Sequence, residues 1–519
     1  MVTGSFSPAR IRSERTDRCA YIESVLRENV LFQDVATATE GSLDDLASAF
    51  YKVKYKKGDV IFSQEKDHML ILEQGECQIT IDGEEIPGIY GTMRPPAMLG
   101  ELALLVDENR AATVTAKTNV VAFRLDRASF DYFMTGPHVK AKAEDIKAEL
   151  KEIDHVIDKI SGVKKRYKGN IIPQYKPSRR WLWGQWRGTI LQQAWKAAAA
   201  SMLVSFCFVA LIRISCRPTW APGQIPDPNS QVISRLVPLA QLWTYLMTLT
   251  TFILTFFLSE AYRLWRDMYN YTRKIQGRLN DIGLLLASTV ERDDEGMFTK
   301  RGIDLLDDIG HYIRLFHLFL WANYSKKFQV LSTSRGMSRM LSRGMMSRHE
   351  YNTLTSLSPS SGGNHNACLT WVLSRCLAAM KDNTLPNDRA LRELLFHKIC
   401  DLRSTVAKIG DDLDGRMPLA YAHFVQVLVD SFLFISPFAL YSGLGMWSIP
   451  AVGLLTLFYA GLLDLSKILL DPLDNDEYYD YPVNVDIGVL IRQTNAGSTR
   501  WKYAAEMLPF ETNVGIDCV

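Results

Sequence analysis

The sequence predicts an α+β multidomain chain: an N-terminal β-barrel domain, then an all-α membrane portion of four spans with a cytosolic helical part. Three observations predict it. Short apolar or alternating runs separated by Gly-bearing turns fill the region before Phe133. Charge is plentiful up to Arg180 and nearly absent from four later windows. Between the second and third windows, Glu260 to Pro418 reads as a long charged helical segment. Bulk composition hides this segregation, since 519 residues with 47% hydrophobic and 22% charged lie near the soluble average. The formal net charge of +2 gives no global argument for nucleic acid or an acidic partner.

Residues 1–21 read as a flexible tail. They lack the apolar core of a secretory signal, and Glu14 and Asp17 interrupt the arginines that a transit peptide would need. Residues 22–160 form the first domain. Its strands are "VIF" (Val60 to Phe62), "MLILEQGECQITIDGEEI" (Met69 to Ile86) and "TNVVAFRLD" (Thr118 to Asp126), with "DGEE" as a hairpin turn. A charged helix closes it, with Val139, Ile146, Leu150, Ile153, Ile157 and Ile160 as its apolar stripe.

Residues 161–182 are a basic aromatic linker. The run from Lys164 to Arg187 holds eight Lys or Arg and no acid, and ends with Trp181, Trp183 and Trp186. Cations on the cytosolic side and Trp at headgroup depth are what a membrane entry needs. Spans follow at about 194–214, 236–259, 419–440 and 447–466, within a membrane domain of 183–485. The turn-like "YSGLGMWSIP" (Tyr441 to Pro450) divides the last two into a hairpin. An even number of spans puts the N-domain, the charged segment and the tail of 486–519 on one side, cytosolic or, in an organelle, stromal. Asp430 falls inside the third span, where an ionisable group faces protein or water, and His423 lies on the same helical face. The "SRGM" echo at Ser334 and Ser342 reads as a Ser-rich loop open to phosphorylation. The eight cysteines are scattered without CxxC spacing, so reduced thiols are expected rather than zinc or disulfides.

"GELALLVDENRAAT" (Gly100 to Thr113) has the layout of a phosphate cradle. Gly100 lets the backbone approach a ligand, and a one-turn helix through Leu102 points free N–H groups at a phosphate. Glu101 can accept from a ribose hydroxyl, and Arg110 offers a cationic fork. Ala111 and Ala112 are small enough for backbone amides, continuing to Thr113, to reach the same oxygens. The stretch resembles the cassette of cyclic-nucleotide-binding domains, as do "YKKGDVIFSQ" and "LEQGECQIT". The resemblance implies cAMP or cGMP as regulatory ligand, and Ala112 leans to cAMP. It also implies that the helix after Val139 swings as a lid, with Ile146 or Leu150 capping the base; a static packing helix is the alternative.

From Trp181 to about Phe510 the chain resembles the bestrophin family of anion channels, through "WGQWRGTILQQAWK", "FFLSEAYRLWRDMYNYTRKIQGRLNDIGLLLAS", "MPLAYAHFVQVLVD" and "DPLDND". The resemblance implies a homo-oligomer, a pentamer around a central pore in membrane lipid, with second-span helices lining an apolar neck. Thr248, Phe252 and Phe256 share one helical face there, and Phe257 competes for the same role. "DPLDNDEYYD" gathers Asp471, Asp474, Asp476, Glu477 and Asp480, where animal bestrophins hold calcium; a solvated acidic turn is the alternative.

The expected function is a chloride or bicarbonate channel regulated by cyclic nucleotide on its cytosolic N-domain. A ligand-silent N-domain used for assembly or targeting, and a membrane-tethered nucleotide sensor without conduction, are the alternatives. No nucleophile constellation, Walker loop or metal-hydrolase motif points to an enzyme or a catalytic cofactor.

Overall fold

A computed structural model describes residues 18–27, 42–62, 68–81, 84–85, 92–100, 104, 112–133, 137–161, 170–172, 176–180, 184–186, 189–216, 221, 224–227, 230–357, 363–476, 485–506 and 508. The chain divides into two compact units. One comprises 1–165 and 315–371, and the other comprises 166–314 and 372–519.

In the first unit, helices α1 (18–27) and α2 (Ser42–Ala49) precede nine short strands. These are β1 (Tyr51–Tyr55), β2 (Val60–Phe62), β3 (His68–Gln74), β4 (Cys77–Ile81), β5 (Glu84–Glu85), β6 (Thr92–Met93), β7 (Met98–Leu99), β8 (Ala112–Ala116) and β9 (Val120–Asp126). They pair antiparallel into two sheets, β1-β9-β3-β7 and β2-β8-β4-β5, with β6 on β4. A closed barrel was expected. Among the described residues no ladder joins the two sheets. Several strands are only two or three residues long, too short to carry a ladder round a corner, and register breaks at Val60/Phe62 and Leu72/Gln74 interrupt the pairing.

The two sheets share one core, in which Phe62, Leu70, Leu72, Val114 and Ala122 meet. Period-two alternation sends Leu70 and Leu72 into it and turns Met69 and Ile71 to the opposite face, yet all four are fully buried. Tyr21 of α1 donates to the Leu72 carbonyl at 2.7 Å, which ties that helix to β3.

α3 (Arg127–Phe133) and the 25-residue α4 (Pro137–Ser161) follow β9. α4 buries Leu150, Ile153, Ile157 and Ile160, four of its six predicted stripe residues; the side chains of Val139 and Ile146 lie outside the described residues. The unit also holds the end of α7 (Lys300–Tyr324), then α8 (Ser334–Ser342), α9 (Arg348–Ser356) and the start of α10 (Asn364–Lys381). The Ser-Arg stretch predicted as a loop is helical from Ser334. The Thr333 hydroxyl accepts from the Gly336 amide at 3.0 Å and so caps the helix. A Cβ on Gly336 would stand 2.0 Å from the Val330 carbonyl oxygen, so close packing requires glycine there. In α9, Ser347 and Glu350 form a reciprocal capping box.

The second unit holds α5 (Ile190–Cys216), α6 (Gln231–Thr289), α11 (Arg389–Asp414), α12 (Leu419–Leu444), α13 (Ser448–Leu470) and α14 (Ile487–Ala505), with most of α7 and the end of α10. Among the described residues three stretches are long and apolar enough to cross a membrane: Leu191–Ser215, Gln231–Thr289 and Leu419–Leu470. The last is α12 and α13 joined by a 3-10 turn at Gly445–Trp447. Gly445 sits at φ 55°, in the left-handed region, so the turn falls where a glycine permits it. Val425 of α12 and Leu463 of α13 pack in one cluster with Leu254 and Phe257 of α6, so the two arms fold back on each other. The 59-residue α6 runs thirty residues beyond its expected span, with Ala261, Met268, Thr272, Ile275, Leu279, Ile282 and Leu286 continuing its buried stripe.

Candidate functional sites

The cradle is framed by the two sheets. β7 ends at Leu99, and Gly100 then takes φ 85°, a conformation costing an L-residue roughly 1–2 kcal/mol. At the other end Ala112 opens β8 opposite Ile81, and Thr113 pairs with Thr80, whose hydroxyl donates to the Thr113 carbonyl at 3.4 Å. Leu104 between them is buried. Glu101, Leu102, Arg110 and Ala111, and the side chain of Ala112, lie outside the described residues. α4 is not free-standing: Glu149, Asp154 and Asp158 on it are ion-paired to Arg335, Arg339 and Arg343. Sequence reading passed over this contact, although the arginines recur every fourth residue.

On α6, Thr248, Phe252 and Phe256 line an open groove with Thr251, Thr255 and, from α13, Tyr459. Phe252 is 73% exposed and Phe256 54%, whereas Phe257 is 1% exposed and sits edge-on to Tyr421. Four of the groove's hydroxyls, those of Thr248, Thr251, Thr255 and Tyr459, are occupied. Thr248, Thr251 and Thr255 donate to the carbonyls four residues earlier, at 3.4, 2.7 and 2.7 Å, and Thr251 also meets the Tyr459 hydroxyl at 2.7 Å. With its hydroxyl protons turned to the helix backbone, this face shows methyl groups and ring edges, and offers an anion little to bind tightly. Asp430 is exposed on α12 and accepts from Gln426 at 2.8 Å, so its intrahelical partner is Gln426 rather than His423.

The acidic turn follows α13. Asp471 is buried and accepts from the Asp476 amide at 2.8 Å through Oδ2. Its Oδ1 has no hydrogen-bond partner, and Arg416 stands 3.8 Å from it and 3.2 Å from Asp476. Asp474, at φ 57°, occupies a left-handed position. Glu477 and Asp480 lie outside the described residues, and no group of three His, Cys, Asp or Glu suited to a metal occurs among the described ones. One orphaned carboxylate oxygen beside an arginine that already supplies counter-charge does not by itself fit calcium. Burial pushes the Cys77 thiol up to about 11 and the Cys376 thiol up to about 12, so both are inert at neutral pH.

Two family models match this chain. The first, the cyclic nucleotide-binding domain, covers residues 52–136 and so spans the cradle. The second, described as bestrophin, RFP-TM, chloride channel, covers residues 178–493, more than half of the sequence. The chain belongs to the bestrophin family. Among solved structures, this bestrophin is similar to a bacterial bestrophin homologue from Klebsiella pneumoniae at 12% identity, covering 60% of this chain and 97% of that one, with a TM-score of 0.45. Its N-terminal part is similar to cAMP-bound PfPKA-R at 23% identity, covering 28% of this chain and 46% of that one, with a TM-score of 0.21. It is also similar to PKAR CBD2 bound to Sp-2Cl-cAMPS at 21% identity, covering 28% and 94%, with a TM-score of 0.22.

Proposed function

We propose that this bestrophin is a multi-pass anion channel whose conduction is set by a cyclic nucleotide bound to its N-terminal domain. The observation that carries the pore is the exposed face of α6, where Phe252 and Phe256 stand outward on a helix long enough to cross a membrane. Apolar side chains of that size are exposed on a membrane helix for lipid, another copy or a narrow pore. Five copies around an axis would bring the Thr248, Phe252 and Phe256 faces together as a neck. Ring edges carry the positive part of the aromatic quadrupole, so such a neck can dewet against cations and still pass chloride or bicarbonate. The four spans are α5, the first part of α6, α12 and α13, with both termini on the cytosolic or stromal side.

The nucleotide, cAMP in preference to cGMP, sits at Gly100 to Thr113. Arg110 and the amides of Leu102, Ala111 and Ala112 hold the phosphate, and Glu101 takes the ribose. The φ of Gly100 and the match over residues 52–136 support this reading. Calcium at Asp471, Asp474, Asp476, Glu477 and Asp480 is a lesser proposal, supported by the unpartnered Asp471 Oδ1 and opposed by Arg416. Reconstitution in liposomes with a halide-sensitive dye tests conduction. A halide flux matching that of protein-free vesicles contradicts it and favours the non-conducting sensor. Titration calorimetry with cAMP and cGMP tests the ligand, and absence of heat with both favours a silent N-domain.

A further inference from the structure

The helix that follows the cradle is gripped by a segment that lies inside the bestrophin match. Residues 315–371 belong to the same compact unit as the N-terminal domain, although the family match assigns them to the channel portion. The grip has a regular origin in the sequence. Ser334-Arg335-Gly336-Met337, Ser338-Arg339-Met340-Leu341 and Ser342-Arg343-Gly344-Met345 repeat with a period of four. On α8 that period stacks Arg335 and Arg339 along one stripe, continued by Arg343 at the C-cap, while Met337 and Met340 are buried on another.

Each arginine meets an acid of α4, in the same order along both helices. Arg335 bonds Glu149. Arg339 clamps Asp154 as a fork, with Nε at 2.7 Å from Oδ1 and Nη2 at 2.9 Å from Oδ2. Arg343 reaches Asp154 at 3.1 Å and Asp158 at 3.9 Å. The six side chains retain only 12% to 30% of their exposure, so this is a partly desolvated network rather than a set of screened surface pairs. Lys159 of α4 adds a contact over the Phe328 ring at 5.8 Å. Removing one arginine leaves a carboxylate half-buried without its counter-charge.

We infer that this Arg335-Arg339-Arg343 clasp on Glu149, Asp154 and Asp158 is the route by which nucleotide occupancy reaches the channel portion. The inference rests on the proposed nucleotide-regulated channel. On the proposed reading α4 is the helix that a bound nucleotide would move, and it cannot shift against α8 without remaking four ion pairs. In sequence α8 falls between α7 and α10, and both of those helices continue into the residues of the second unit. The clasp therefore offers a path through the chain distinct from the basic linker at 161–182.

The test compares the full-length wild type with the triple variant R335E/R339E/R343E, with R339Q, and with the charge-swapped pair D154R/R339D, in liposomes. Halide flux, binding of a fluorescent cAMP analogue and hydrogen exchange over 334–342 are read on the same samples. The inference predicts that the triple variant binds the analogue within about two-fold of wild type, exchanges faster over 334–342 and loses its nucleotide-dependent change in flux. R339Q should be intermediate, and the swapped pair should recover part of the response. A triple variant that binds nucleotide and keeps the wild-type change in flux overturns the clasp as the route. A wild type that binds nucleotide with no change in flux overturns the parent reading, and the coupling role with it. If the triple variant does not fold, R339Q and the swapped pair decide. Equal responses in wild type, R339Q and the single variant R339D, without need of D154R, also overturn it.

Discussion

Strand β3 and helix α5 are built from the same kind of residue and treat it in opposite ways. In β3, Met69, Leu70, Ile71 and Leu72 are 0% exposed, covered on both faces by the protein itself. In α5, Leu203, Phe206, Leu211 and Ile214 are all more than half exposed. One set is a core that the chain completes alone in water. The other is a surface whose partner must be lipid or a further copy. Burial within one chain, rather than hydrophobicity, separates the two, because the composition of the segments alone does not.

The comparison breaks most visibly with matched truncations. Leu70→Ala should destabilise the N-terminal unit by about 2–5 kcal/mol, whereas Leu211→Ala should stay within about 0.5 kcal/mol in detergent. Denaturant unfolding of the purified protein reads both, and equal losses would erase the distinction. The same contrast recurs within two helical turns of α6. Phe257→Ala should cost about 3–5 kcal/mol because it empties a packed site. Phe252→Ala should leave stability near wild type and raise halide flux several-fold by widening the neck. A Phe252→Ala channel with unchanged flux would move the constriction elsewhere.

At the cradle, Arg110→Ala should weaken cAMP binding roughly 10- to 100-fold, the loss expected for charge-assisted hydrogen bonds of about 1.5–3 kcal/mol. Calorimetry against cAMP and cGMP reads this, and Ala112→Thr on the same instrument should move preference toward cGMP. The smallest effect concerns pH. Burial raises the Asp154 carboxyl, but the hydrogen bond and charge of Arg339, helped by Arg343, outweigh it and hold the group below its ordinary value. A depressed carboxylate contributes stability above its unfolded pKa of about 3.9, lost as pH falls through the lower folded value. Protection from hydrogen exchange over 334–342, corrected for the intrinsic pH dependence of amide exchange, should therefore be flat from pH 7 to about 5 and fall only below about 4. A fall already near pH 6 would point to a histidine instead.

The long apolar helices were legible because charge is absent over whole windows, and the ends of α5, α12 and α13 fall within a few residues of the expected limits. The continuation of α6 past Ser259 was less legible. Glu260 marks where the membrane window ends, but the heptad-like spacing from Ala261 to Leu286 shows that the helix does not end with it. The split of the N-terminal strands into two sheets was not legible, since pairing partners lie up to some seventy residues apart, as Tyr51 and Arg124 do. The arginine repeat was visible yet misread. Ser and Gly lower helix propensity, and the acids that fix Arg335, Arg339 and Arg343 are about 185 residues away in sequence. Most of the residues proposed for the cradle were legible only through their pattern and lie outside the described residues, with Gly100 and Thr113 marking its two ends.

The most direct measurement is halide flux through liposomes holding the full-length protein, with and without saturating cAMP, and with binding verified on the same vesicles. The account predicts flux above that of empty vesicles and a clear change on adding cAMP. Flux that ignores bound cAMP, or no flux at all, would contradict it.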